Sequence, residues 1–476
     1  MTGENMFFKK KEKTEAEIYE EIFAEEKKSE NRNSARGSGY IVIPIVLMFV
    51  LGILVWIHAP SAALHYLYAL VVMLLVCAFV GTYVYNRDGD MKLFAAIASL
   101  ASIGVALQMA IDELYITYTV FQPLKLAAGL AAGVVFIVFY DLVRRFLNHR
   151  YFAYVMLGFS LLIYLILYFF GIDPNGMGTH AWIQAGPITI QLTDASKIAA
   201  IMFYASLFAS DQNGSEKEVL TLATVFFFIN LAGSVLIHEL GSFFILYFLH
   251  LSIIFIFMKK GKTKRYYLLS IAALTLLALG SAYGLYKVLQ PMAAAGQLNS
   301  FTSLLWPIVR KVYLRFSVTA NIYSDPYGAG YQLLQGKKAL WLSGFFGNRV
   351  NFNAIPVVES DMAFIALMNS FGMPAGFAAV LFFAMIMISG SRLSIRLLSV
   401  SRKDAVVAYG LTILLCAQAA LVILGSCNII PLAGLPIPFL SRGGTYQAIV
   451  LGFCGLLLHM SEHGGVRYEG GEYHEE

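Results

Sequence analysis

Runs of about twenty apolar residues follow one another through most of this chain, separated by short connections. A backbone segment in hydrocarbon has to satisfy its own N–H and C=O groups, so it must fold as a helix or as part of a closed barrel. The runs are continuously apolar and do not alternate, which selects helices. About twelve are long enough to span, or nearly so. They lie near residues 40–58, 62–85, 91–110, 123–141, 151–170, 196–210, 219–236, 240–257, 266–287, 361–389, 404–427 and 444–461. Charged residues make up 13% of the chain, against about 25% in a soluble domain, and 58% of the residues are hydrophobic. The chain therefore reads as an all-α polytopic membrane protein with about 12 transmembrane helices. Only Leu236 to Glu239 separate the seventh and eighth runs, which fits either a tight hairpin or a broken helix.

Charge orients the runs. One set of connections holds Arg144, Arg145 and Arg150, then Lys259, Lys260, Lys262, Lys264 and Arg265, then Arg392, Arg396, Arg402 and Lys403. The alternate connections, Ala59 to Ser61 and the loop around Asp112 and Glu113, are nearly bare of cations. The positive-inside rule then places both termini in the cytoplasm and puts 171–195, 289–360 and 428–443 outside. The formal charge of +5 is spent on this orientation and gives no nucleic-acid signal. Cys77, Cys416, Cys427 and Cys454 lie in or near apolar runs without CxxC spacing, so neither a zinc site nor a disulfide framework is indicated.

Residues 1–39 form a charged cytoplasmic tail without an apolar leader core, so the first span does the targeting. Within it Ile18, Tyr19, Ile22 and Phe23 fall on one face of a short amphipathic helix. That face suits either a solvated tail or a contact with a partner or the lipid surface. Residues 463–476 form a second cytoplasmic tail. A transporter of two six-span halves would carry its long linker after the sixth span. Here the sixth connection is the short Ser210 to Glu218, and the long one, 289–360, follows the ninth.

That long connection is expected to be the working part, a polar external loop between helices 9 and 10. Connections of more than about 15 residues without strong structure are uncommon and usually functional. It carries Arg310, Lys311, Arg315, Lys337, Lys338 and Arg349 and closes on Glu359-Ser360-Asp361, where the chain re-enters an apolar run. Three further segments join it. Trp182 to Gln191 alternates like a short extended piece at the interface and precedes Asp194 and Lys197, whose ammonium either snorkels to headgroups or meets a ligand. Ile237-His238-Glu239 sets an imidazole and a carboxylate between two spans, as a site or as an exposed turn. Asn428 to Gly444, with Pro431, Pro436 and Pro438, cannot be a regular helix. At membrane depth it has to be buried in protein or line a wet cavity.

Pro436-Ile437-Pro438-Phe439-Leu440-Ser441, followed by Gly443-Gly444, resembles the signature of the SEDS family (shape, elongation, division and sporulation; the RodA/FtsW type). Trp182-Ile183 through Lys197 is similar to that family's segment before its fourth core span. Tyr331-Gln332, Gln335-Gly336 and Gly344 to Gly347 resemble its external-loop pattern, and Ser360-Asp361 with Phe364 resembles the start of its eighth core span. The resemblance covers about 90–462 and implies a core of ten spans, leaving 40–85 as an added N-terminal pair.

By that resemblance the chain is a peptidoglycan glycosyltransferase that polymerises lipid II at the outer face of the bacterial cytoplasmic membrane. Asp361 is the implied catalytic base. Lys197, Glu239, Trp182, Gln332, Lys337, Lys338, Ser441 and Arg442 are the implied substrate-binding residues. A class B penicillin-binding protein is the implied partner. No cofactor is assigned, and a divalent cation, Mg or Mn, is left open. The sequence departs from the family at Arg442, where tyrosine is usual, at Thr445-Tyr446, at His238-Glu239 and at Asn369-Ser370. A lipid-linked precursor flippase and an inactive scaffold recruiting a transpeptidase are the rival readings. For Asp361 itself two effects oppose. A place in the first turn of a helix capped by Ser360 would lower its basicity, and burial would raise it.

Overall fold

The computed structural model describes residues 37–113, 121–174, 176, 178–186, 188–209 and 215–462. The amphipathic face expected at Ile18 to Phe23 and the tail at 463–476 lie outside these residues. Among the described residues fifteen α-helices and one strand pair carry the fold: α1 (Val42–His58), α2 (Pro60–Asn86), α3 (Met91–Ile111), α4 (Leu124–Arg144), α5 (Arg150–Phe170), β1 (Trp182–Ala185), β2 (Ile188–Gln191), α6 (Thr193–Leu207), α7 (Glu216–Leu236), α8 (Gly241–Phe257), α9 (Lys262–Ala294), α10 (Ser300–Ala320), α11 (Tyr331–Ser343), α12 (Ala363–Phe371), α13 (Met373–Leu398), α14 (Arg402–Ser426) and α15 (Gly444–Ser461).

Among the described residues ten helices are long and apolar enough to cross a membrane. The protein is an all-α multi-pass membrane protein. The runs near 196–210 and 240–257 form the shorter helices α6 and α8, of 15 and 17 residues. A bilayer core is about 30 Å thick and a helix rises about 1.5 Å per residue. α6 alone is therefore too short to span, and its buried surface places it inside the bundle with α3 and α14. Helices α7 and α8 pack on one another, so the four-residue break between them is a hairpin turn, with His238 at φ 59.

Helix association in lipid depends on close packing and interhelical hydrogen bonds, because the tails are as apolar as the side chains. The most extensive contact joins α4 and α15. There a Cβ on Gly455 would stand 2.9 Å from the Gly133 Cα, so only glycines let these backbones meet. Elsewhere Ser160 donates to Asn230 Oδ1 at 3.1 Å, and His250 lies between the hydroxyls of Tyr204 and Tyr267.

Two expectations are corrected. The stretch 289–360 is not a long irregular loop. α9 continues to Ala294, and α10 and α11 occupy most of the remainder. Asn299 caps α10 by accepting from the Thr302 amide at 2.8 Å. α10 then packs back along α9 through Tyr286, which stacks on Tyr313 with ring centres 3.6 Å apart. The second correction concerns 361–389, which is not one span. Gly372 at φ 86 breaks it into the nine-residue α12 and the long α13.

The two ends of the bundle differ. At one, Arg144 pairs with Asp404 at 2.5 Å, Arg87 with Glu462 at 3.6 Å, and Lys403 donates to Asn148. The turns at 58–61, 111–113, 236–241 and 428–443 gather with α10 and α11 at the other end. Trp182 to Ala185 pairs antiparallel with Ile188 to Gln191, Trp182 opposite Gln191. This is the short extended piece that the alternation indicates.

Candidate functional site

Asp361 lies in the turn before α12, whose N-cap is Met362. It is therefore not in the first helical turn, and Ser360 is not the cap. Instead Ser360 donates its hydroxyl to Asp361 Oδ1 at 3.1 Å. The turn is tight: the amides of Ser360 and Met362 both bond to the carbonyl of Val357, at 3.1 and 3.3 Å. Val357 takes φ 52, a region a β-branched residue seldom adopts.

The Pro/Gly-rich segment 428–443 holds this turn from outside. The Arg442 amide donates to Glu359 O at 2.8 Å. Ser441 is buried; its hydroxyl donates to Ser360 O at 3.2 Å and accepts from the Ile437 amide at 2.7 Å. Gln108, at the end of α3, donates to Leu440 O at 2.5 Å. A Cβ on Gly104 would lie 1.9 Å from Phe439 O, so α3 admits this segment only because that position is glycine. Residues 435–441 of this irregular segment are thus largely buried in protein, while Ile429 at its start is exposed.

Opposite Asp361 stands Arg315 of α10, donating to Ala433 O at 3.0 Å. One turn earlier, Lys311 donates to His238 O at 3.3 Å. Glu239, buried beside them, accepts from the Ser242 amide at 2.9 Å through one carboxylate oxygen. Its other oxygen has no hydrogen-bond partner among the described residues. Asp361, Arg315, Lys311 and Glu239 form one interacting row of charges from the α12 turn to the α7–α8 turn.

Burial raises the Asp361 carboxyl to about 6, against the pull of the Ser360 hydroxyl and the Arg315 guanidinium; the Glu359 charge raises it further. Burial therefore wins the contest that the sequence left open. Burial also brings Lys311 down to about 8, with Arg315 adding repulsion and Glu239 and Asp173 opposing the shift. The Arg315 guanidinium is lowered for the same first reason. The row therefore pairs a carboxylate largely ionised at neutral pH, and close to its titration point, with two cations. A base poised near the working pH transfers protons efficiently.

The other residues singled out in the sequence fall around this row. Lys197 is buried, its ammonium 2.7 Å from Asp194 Oδ1 and 3.4 Å from Gln418 Oε1. It does not snorkel to headgroups. Gln418 in turn donates to Pro436 O at 2.8 Å, so the Lys197 pair supports the Pro/Gly segment from behind. Arg442 pairs with Asp112 at 3.3 Å, and Gln122 and Lys125 complete that cluster. A cavity beside it, lined by Gln108, Gln122, Lys125 and Ser441, measures about 30 Å³ and suits a water, not a substrate. Trp182 is half-buried in β1, Gln332 lies at the start of α11, and Lys337 and Lys338 are exposed on that helix.

Sequence reasoning missed Arg315 and Lys311 as members of one site, although their i, i+4 spacing was readable once a helix was expected there. It also missed Gln108 and Gln418, whose signal is an amide within an apolar run. Among the described residues no three His, Cys, Asp or Glu side chains come together as a metal cage.

A sequence model grouping FtsW, RodA and SpoVE proteins, described as "Cell cycle protein", matches residues 90–465. Legionella pneumophila "Probable peptidoglycan glycosyltransferase FtsW" is 25% identical over 320 residues, covering 64% of this chain and 73% of that protein. Bacillus subtilis "Stage V sporulation protein E" is 25% identical over 320 residues, covering 65% and 78%. Two solved structures share the fold. One, from work titled "Structural coordination of polymerization and crosslinking by a peptidoglycan synthase complex", has TM-score 0.60 at 19% identity, covering 79% of this chain and 98% of that one. The Thermus thermophilus rod shape determining protein RodA has TM-score 0.51 at 16% identity, with the same coverage.

Proposed function

Because the chain belongs to the FtsW/RodA/SpoVE family, we propose that this peptidoglycan glycosyltransferase polymerises lipid II, with Asp361 as general base. The single observation that carries the assignment is the Asp361 carboxylate set against Arg315 across Gly434, in the turn that the 428–443 segment clamps.

In the reaction the acceptor sugar 4-hydroxyl attacks C1 of the donor sugar. Asp361 takes the hydroxyl proton as the new C–O bond forms, and the C1–O bond to undecaprenyl pyrophosphate breaks. Negative charge builds on the departing pyrophosphate, where Arg315 and Lys311 supply preorganised donors in a partly dry site. The Glu239 charge favours the protonated Lys311 ammonium, which donates to His238 O. Trp182, Gln332, Lys337, Lys338, Lys197, Ser441 and Arg442 remain assigned to substrate binding, Ser441 and Lys197 by shaping the segment beside Asp361. The site end of the bundle faces outward, since the opposite end gathers the Arg/Lys connections. A class B penicillin-binding protein is the proposed partner, in keeping with the peptidoglycan synthase complex that shares the fold.

The test is polymerisation of lipid II by the purified protein in lipid nanodiscs. Positioned bases contribute about 10²–10⁴-fold to rate, so Asp361→Asn is expected to lose nearly all glycan product while Glu359→Gln keeps it. Product from Asp361→Asn at the wild-type rate would remove the carboxylate mechanism. Lipid II translocation without polymer would instead identify a carrier, and neither activity, with or without a partner, a scaffold.

A further inference from the structure

The family match begins at residue 90, which leaves the α1–α2 hairpin ahead of it. A hairpin added only as an anchor needs to touch the core through apolar side chains and nothing else. This one does more. Its turn reaches the segment that carries Asp361, and the contact is polar. Arg349, eleven residues before Ser360, donates to His58 O at 2.9 Å and to Ala110 O at 3.0 Å, and it pairs with Glu113. Ser61, in the first turn of α2, donates to the other Glu113 oxygen at 2.7 Å. The guanidinium also lies 4.6 Å from the ring centre of Phe352.

Arg349 takes φ 56 and Asn351 φ 61, so the backbone here is held in a conformation it would not choose alone. Asn369 fastens the same stretch. Its carbonyl accepts from the Asn348 and Arg349 amides, both at 3.1 Å, and its side-chain amide donates to Val350 O at 3.1 Å. The stretch 349–361 is therefore pinned at one end by Arg349 and at the other by Ser441 and the Arg442 amide. One of the two pins is built partly from the added hairpin.

The geometry points to the α1–α2 hairpin as a positioning element of the enzyme: His58 O and Ser61 complete a socket for Arg349 that sets the approach of the Asp361 turn. A planar guanidinium fills this socket with several donors at once, which a lysine cannot reproduce. The catalytic consequence rests on the polymerase reading; the mechanical one does not. In a chain lacking the hairpin the Arg349 fork would lose one carbonyl acceptor, and Glu113 its hydroxyl donor.

The experiment uses the full chain in nanodiscs and reads hydrogen–deuterium exchange by mass spectrometry, beside the kcat and KM of lipid II polymerisation. Ser61→Asp sets a like charge against Glu113, and Arg349→Gln removes the guanidinium. Both are expected to speed exchange of the 348–362 amides roughly tenfold or more, since hydrogen bonds to charged groups are the strong ones. Helices α13 and α14 should be unchanged. Arg349→Lys should fall between Arg349→Gln and wild type. kcat should fall with KM held, because the base is displaced while the binding residues stay. Unchanged exchange over 348–362 in Ser61→Asp and Arg349→Gln would overturn the proposal. If Arg349→Gln loosens the whole bundle, Ser61→Asp, at an exposed position, decides alone. A wild-type protein that makes no polymer would defeat the proposed function and leave the exchange result standing.

Discussion

Arg315 Nη2 and Asp361 Oδ2 meet the same face of Gly434, 3.2 and 3.6 Å from where a Cβ on that residue would stand. Gly434 takes φ 69, so this position needs glycine both for its backbone and for the space in front of it. Gly434→Ala is expected to cost about 1–2 kcal/mol in backbone strain and to push Arg315 and Asp361 apart. Turnover should fall more than tenfold at wild-type expression. Quantifying glycan product against protein recovered in the detergent extract checks this.

The pH profile of polymerisation should be bell-shaped. Asp361 must be ionised to act as base, and its carboxyl titrates at about 6, so the rate climbs through that pH. Lys311 titrates at about 8, and its loss of charge as pH rises weakens the hold on the departing pyrophosphate, so the rate declines above that. Arg315→Gln removes a charge that holds Asp361 down, so the acid limb should move to higher pH. Initial rates between pH 5 and 9 in one mixed buffer settle both signs.

Lys197 and Asp194 form a buried ion pair, and removing one member strands the other. Such a loss costs about 3–5 kcal/mol. Lys197→Met is expected to lower the midpoint of thermal unfolding by several degrees, and Lys197→Met combined with Asp194→Leu should recover part of it. A raised KM with an unshifted melting curve would mean instead that the ammonium reaches the pyrophosphate directly.

Orientation is checked by cysteine accessibility in intact cells, in a background in which Cys77, Cys416, Cys427 and Cys454 are replaced by serine or alanine. Asp325→Cys, between α10 and α11, should react with a membrane-impermeant maleimide, and Lys262→Cys, at the start of α9, should not. The reverse pattern would place the site end in the cytoplasm and defeat an extracytoplasmic reaction.

The helices were legible because a span must hide its backbone and its apolar side chains in the same twenty residues, a local requirement that periodicity and run length record. Asp361 was legible as a carboxylate at a junction, and 428–443 as a segment that three prolines keep from being helical. The helicity of 300–343 was not, because its mixed residues make an amphipathic surface that only α9 and α12 complete. The break at Gly372 had a local signal, a glycine followed by Pro374, which opens the next helix, but the length of the apolar run masked it. Nor could the sequence decide which cations stay unburied. Lys197 looks like any lysine opening a span until Asp194 and Gln418 enclose it, and Arg442 looks free until Asp112, 330 residues earlier, meets it. Composition and order determine which segments are apolar enough to enter the membrane. The basicity of Asp361 and the seat of Arg349 were decided by tertiary structure alone, since desolvation and ion pairing depend on residues brought together from distant parts of the chain.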